Sequence, residues 1–130
     1  MDRQIDPQRL RCYPLPGGWQ VVAGRTDADN EYLSLRFARP AEWWFHAAGC
    51  AGSHVLLLER EGQEPDRDTL RAAAAVAAWH SKARNASRVP VSMTQAVNVS
   101  KTRGSPRGQV TVRRQRDLKV TPGLPDDSKN

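Results

Sequence analysis

At 130 residues, with 38% hydrophobic and 26% charged side chains and a mean hydropathy of −0.67, the chain has the size and composition of one domain around one core and not those of a disordered protein. No apolar run approaches the roughly 18 to 20 residues a membrane span needs, and residues 1–7 contain no apolar signal-peptide core, so the expected location is the cytoplasm. The formal net charge of +6 is unevenly placed: residues 80–119 carry ten Lys and Arg against the single acid Asp117, the footprint of a polyanion partner rather than of a merely solvated face.

In chain order, residues 1–16 show no sustained periodicity and contain Pro14 and Pro16, so they are expected as a flexible lead-in to a domain over residues 17–122. Residues 19–23 and 33–37 each alternate apolar and polar side chains, the period of a half-buried strand, and residues 27–30 between them have turn chemistry, which predicts an antiparallel pair. Residues 43–46 form a third strand candidate, and residues 55–58, with no polar alternation, a strand buried on both faces. A helix is predicted from an Asp66 cap through the alanine run to about Asn85, with Leu70, Ala73, Ala74, Ala77 and Ser81 on one face. Residues 91–99, 109–112 and 118–121 are further strand candidates, residues 101–108 a loop, and residues 123–130 a disordered tail. Strands, one long Ala-rich helix, then strands again give an α+β domain: a mainly antiparallel mixed sheet with that helix packed on one face.

Chemistry-bearing residues gather around the small-residue loop 47–54. His46, Cys50 and His54 recur at intervals of four, but a structural zinc takes four protein ligands, and neither Cys12, in the lead-in, nor His80 completes the set, so no metal and no cofactor is expected. Cys12 and Cys50 are expected as free thiols. Ser53 and His54 lack the strand-turn-helix setting of a hydrolase serine. Gly49 and Gly52 would permit a phosphate-binding turn, with the Ser53 hydroxyl as a donor and His46 or His54 beside it, or simply a tight connection between core strands. Trp43 and Trp44, consecutive on a strand, must face opposite sides, which leaves one available for base stacking or for the core.

Several co-linear runs carry a family resemblance: Glu42, Trp43, Trp44, Phe45 and His46; Gly52, Ser53, His54 and Val55; the Ala-rich segment ending at Trp79, His80, Ser81 and Lys82; then Val89-Pro90-Val91 and Val99-Ser100-Lys101. Over residues 17–122 the chain resembles the RNA-binding domain of the NFACT family of ribosome quality-control factors. Gly24, Arg25 and Asn30 fall at that family's early Gly-Arg and Asn positions, while Glu42 replaces its usual Asp and Cys50-Ala51 replaces a segment in which Pro often precedes Gly52. The resemblance implies an intracellular, RNA-associated domain of mixed α/β fold. Full-length members bind the large ribosomal subunit and tRNA and support alanine tailing of stalled chains; this sequence resembles a stand-alone form of the module, to which tailing is not carried over.

The expected function is non-catalytic binding of tRNA or ribosomal RNA. Phosphates would be contacted by Lys82, Arg84, Arg88, Lys101, Arg103, Arg107, Arg113 and Arg114, with Glu42, His46, Gly52, Ser53 and His54 forming a polar pocket beside them. Two other classes remain open at this point: a protein-interaction module of a ribosome-associated complex, and an accessory RNA-modifying enzyme using His46, Ser53 and His54.

Overall fold

The computed structural model describes residues 3–125 and forms an antiparallel sheet of six strands in the order β1-β2-β4-β3-β5-β8. The strands are β1 (Leu10–Pro14), β2 (Gln20–Gly24), β3 (Trp43–Ala47), β4 (Val55–Leu57), β5 (Val89–Gln95) and β8 (Arg116–Val120). A small ribbon of β6 (Val99–Ser100) and β7 (Thr111–Val112) lies apart from it. The architecture is α+β, as the alternation of strand and helix patterns predicts.

Side chains alternate across the pleat, and the core divides accordingly. Val21, Ala23, Phe45, Ala47, Val55, Leu57, Val91 and Met93 meet Ala73, Ala74, Val76 and Ala77 of helix α2 (Arg67–Trp79) on one face. Val22, Trp44 and Leu56 point the other way and meet Leu10, Leu33, Phe37, Ala96 and Val99. Central strand β4 is therefore fully buried at Val55, Leu56 and Leu57, matching its unbroken apolar run.

Three expectations need correction. Residues 10–14 are not a loose lead-in: they pair with β2 in register from Leu10 opposite Gly24 to Pro14 opposite Gln20. Pro14 is tolerated because β1 is an edge strand, where a missing N–H costs no ladder bond. Residues 27–37 are helical, with α1 (Asp27–Tyr32) running into a π-helical turn over Leu33–Phe37. Thr26 caps α1, its hydroxyl accepting from the Asp29 amide at 3.1 Å, so what reads as turn chemistry is a helix start. Helix α2 begins as predicted, with the Asp66 carboxylate accepting from the Thr69 amide at 2.8 Å, but it spans 13 residues and stops at Trp79. Residues 80–82 leave the helix to pair with the loop: Ser53 N donates to His80 O and Lys82 N to Ala51 O, both at 2.9 Å. Of the tail predicted over residues 123–130, residues 126–130 lie outside the described residues.

Candidate nucleic-acid interface

The loop joining β3 to β4 is clamped between the end of α2 and the start of α1. Gly52 bridges to Ser81, and a Cβ at Gly52 would sit 2.8 Å from the Ser81 Cβ and 3.0 Å from His80 O, so glycine is needed here for close approach rather than for an unusual torsion. The His54 amide donates to Asn30 Oδ1 at 3.0 Å, and the Ser53 hydroxyl donates to Gly24 O at 2.8 Å. These bonds, with that of the Ser53 amide, favour the second of the two readings of this loop, a tight connection between core strands: the amides of Ser53 and His54 are spent inside the fold.

Two depressions open on either side of this clamp. One, of about 390 Å³, is lined by Arg25, Lys82 and Arg84 together with Gly52, Ser53 and Ser81, and Asp27 is its one carboxylate. Arg84 is held by its own neighbourhood: Nε donates to Trp79 O at 3.0 Å, and the guanidinium lies 4.7 Å from the Trp79 ring centroid. Against the same depression His80 stacks on Tyr13 and shares a 2.6 Å hydrogen bond with its hydroxyl; burial, with Arg11, Arg84 and Arg25 nearby, pushes its imidazole down to about 4 and keeps it uncharged.

The second depression, about 540 Å³, lies on the α1 side of the sheet between Trp44, His46 and His54 and the loop containing Arg107, Gly108, Gln109 and Val110. Its floor is a fixed aromatic array. The Trp44 indole donates to Ser34 Oγ at 2.8 Å, Ser34 Oγ pairs with His54 Nδ1 at 2.7 Å, and the His46 ring stacks on Trp44 and meets His54 edge-on at 5.3 Å between centroids. Burial drives the His54 imidazole down to about 4, helped by the neighbouring His46, and burial also lowers His46. Both depressions share Asp27, Asn30, Ala51 and Gly52, so they are adjoining parts of one groove.

Not all of the predicted residues meet there. Lys82, Arg84, Gly52 and Ser53 line the cationic depression, and His46, His54, Gly52 and Arg107 the aromatic one. Lys101 is committed elsewhere, its ammonium bound to Glu31 Oε1 at 2.6 Å and to Pro106 O at 2.7 Å. Arg88 reaches Lys119 O at 3.4 Å, Arg103 is exposed beside Gly104, and Arg113 and Arg114 are exposed after β7, with Arg114 at φ 55°. Glu42 does not belong to the histidine pocket. It is 1% exposed, its carboxylate takes the Arg3 guanidinium in two bonds of 2.7 and 2.5 Å, and it accepts from the amides of Arg39 and Glu59, each at 2.8 Å. Neither Trp43 nor Trp44 is exposed for stacking; Trp44 is 2% accessible and Trp43 packs against the core on the α2 side.

Residues 13–114 match the family described as the NFACT protein RNA binding domain. The chain belongs to that family. Relatives of this NFACT RNA-binding domain include the Rqc2 homolog RqcH of Bacillus subtilis, 37% identical over 113 residues that make up 87% of this chain and 19% of the relative. The Rqc2 homolog RqcH of Streptococcus suis is 36% identical over 102 residues, 78% of this chain and 18% of the relative. The chain thus spans about a fifth of the length of these curated relatives. Among solved structures, the C-terminal part of the fibronectin/fibrinogen-binding protein from Streptococcus suis superposes with a TM-score of 0.84 at 32% identity, covering 97% of this chain and 50% of that one. Sequence reasoning left one groove cation of the NFACT RNA-binding domain out of its site: Arg25, whose signal was its position directly after the strand-ending Gly24.

Proposed function

We propose that the domain binds structured RNA, tRNA or ribosomal RNA, in ribosome-associated quality control, and that the groove beside Gly52 is its centre. The observation that supports this most directly is the convergence of Arg25, Lys82 and Arg84 on one depression with Arg107 in the adjoining one. These cations come from three separate parts of the chain, and a concave wall of like charge concentrates phosphate near it. Arg88, Arg103, Arg113 and Arg114 extend the phosphate contacts outward. Binding rather than catalysis fits the chemistry of the candidate acid-base groups: the Ser53 hydroxyl is donated to Gly24 O, and His54 is 5% exposed and held by Ser34.

Counterion release supplies the test. If Arg25, Lys82, Arg84 and Arg107 each neutralise one phosphate, together they contribute about −3 to −4 to the slope of log affinity for tRNA against log salt. Replacing any one of them by Ala reduces the slope by about one, whereas Lys101→Ala leaves it unchanged because that ammonium already serves Glu31. Fluorescence anisotropy between about 50 and 300 mM salt reads the slope directly. A salt-independent affinity refutes the reading.

A further inference from the structure

The cationic half of the groove accounts for phosphate but not for its aromatic neighbour. That neighbour has the wrong chemistry for an anion: with both imidazoles uncharged at neutral pH, its floor is Trp44, His46 and His54, its sides are the carboxamide of Asn30 and the apolar Val110, and only Arg107 brings positive charge. It also has the wrong shape for a duplex, which offers protein a broad surface and not a single projecting group. Its volume of about 540 Å³ lies in the range of small-molecule pockets.

We propose that this cavity receives one unpaired nucleobase of the bound RNA while the flanking phosphates lie in the depression of Arg25, Lys82 and Arg84. The inference rests on the RNA-binding reading and specifies what part of an RNA the groove distinguishes. The half-buried His46 ring, backed by the buried Trp44, gives a base a stacking surface that tolerates any sequence, and the exposed carboxamide of Gln109 offers both donors and an acceptor to its edge. The ring positions are preset: Ser34 ties the Trp44 indole to the His54 imidazole, and His54's own backbone amide is tied to Asn30. The floor therefore needs no rearrangement to accept a flat ring. Because Asp27, Asn30, Ala51 and Gly52 border both depressions, a nucleotide with its base in one has its phosphates at the other.

The experiment compares a fully paired RNA duplex with the same duplex carrying a single-nucleotide bulge, titrated against the full chain. The bulged duplex should bind at least about tenfold more tightly, as one captured base would give. His46→Ala and, because His46 is partly enclosed, the independent Gln109→Ala at an exposed position should each draw the ratio of the two affinities toward one, with thermal melting confirming that each variant folds. In parallel, AMP and UMP should shift the imidazole proton resonances of His46 and His54 in NMR spectra, and inorganic phosphate should not. Equal, salt-dependent binding of both duplexes with unmoved imidazole signals overturns the base pocket and leaves the phosphate groove standing. Failure of both duplexes to bind overturns the two together.

Discussion

Acidifying the protein from pH 7.5 to 5 should cost it about 2 kcal/mol of folding stability through His54 alone. Burial holds the folded-state imidazole at about 4, against an ordinary value of 6.5, so between these values the unfolded chain binds a proton that the native protein refuses. The stabilisation is fully present above pH 6.5 and is lost as the pH falls below it. Integrating a single proton-binding equilibrium between those two values gives a loss near zero at pH 7.5 and about 2 kcal/mol at pH 5. His46 and His80 are lowered as well and add in the same direction. The carboxylates of Asp29 and Glu31 do not confuse this window: their ion pairs with Arg9 and Lys101 pull them below ordinary values of 3.8 and 4.5, so their contribution disappears at lower pH. Urea denaturation followed by tryptophan fluorescence at the two pH values measures the drop, and His54→Gln should shrink it by about 2 kcal/mol. Stability that is flat over this range, or an undiminished drop in His54→Gln, refutes the reasoning.

Three substitutions test the scaffold, each by chemical denaturation. Glu42→Ala strands the Arg3 guanidinium and the amides of Arg39 and Glu59, and should destabilise by about 3 to 5 kcal/mol, as breaking a buried pair from one side does. Gly24→Ala puts a methyl group 2.8 Å from the Asn30 backbone nitrogen and against its side chain, so a loss of about 1 to 3 kcal/mol is expected, with the Asn30 bond to His54 disturbed. Asp66→Ala removes the cap of α2 and should cost about 1 kcal/mol without altering RNA affinity.

What could be read from the sequence was what local pattern determines. The doubly buried β4, the strand at residues 43–47 and the capped start of α2 each have a signature within a few residues. Residues 33–37 show where that logic is ambiguous. Leu33, Leu35 and Phe37 alternate like a strand, yet Leu33 and Phe37 are four apart and lie together on a helical face, buried at 0% and 5%, while Leu35 stays half-buried. The choice between the two periods is made by Thr26 capping the helix upstream. The end of α2 was illegible for another reason. Ser81 and Lys82 have helical neighbours in sequence, and what removes them from the helix is pairing with Ala51 and Gly52, about thirty positions away. The site follows the same division. The excess of cations in residues 80–119 pointed to a polyanion, but which cations share a wall depended on partners such as Glu31 for Lys101 and on Arg25, which lies outside the basic stretch. His46 and His54 were found through the small-residue loop, whereas Trp44 and Asn30 enter the cavity only because α1 covers that face.

Among the described residues the sheet is open, with β1 and β8 as its edge strands. β1 ends in Pro14, which offers no N–H to an incoming strand, and β8 exposes Arg116 and Lys119. Charge and proline along a margin are what discourages two sheets from joining edge to edge. Arg116 and Lys119 therefore disfavour edge pairing between two copies of the domain. In a variant stripped of them, precipitation with the melting temperature intact would mark strand pairing between folded molecules rather than failure to fold.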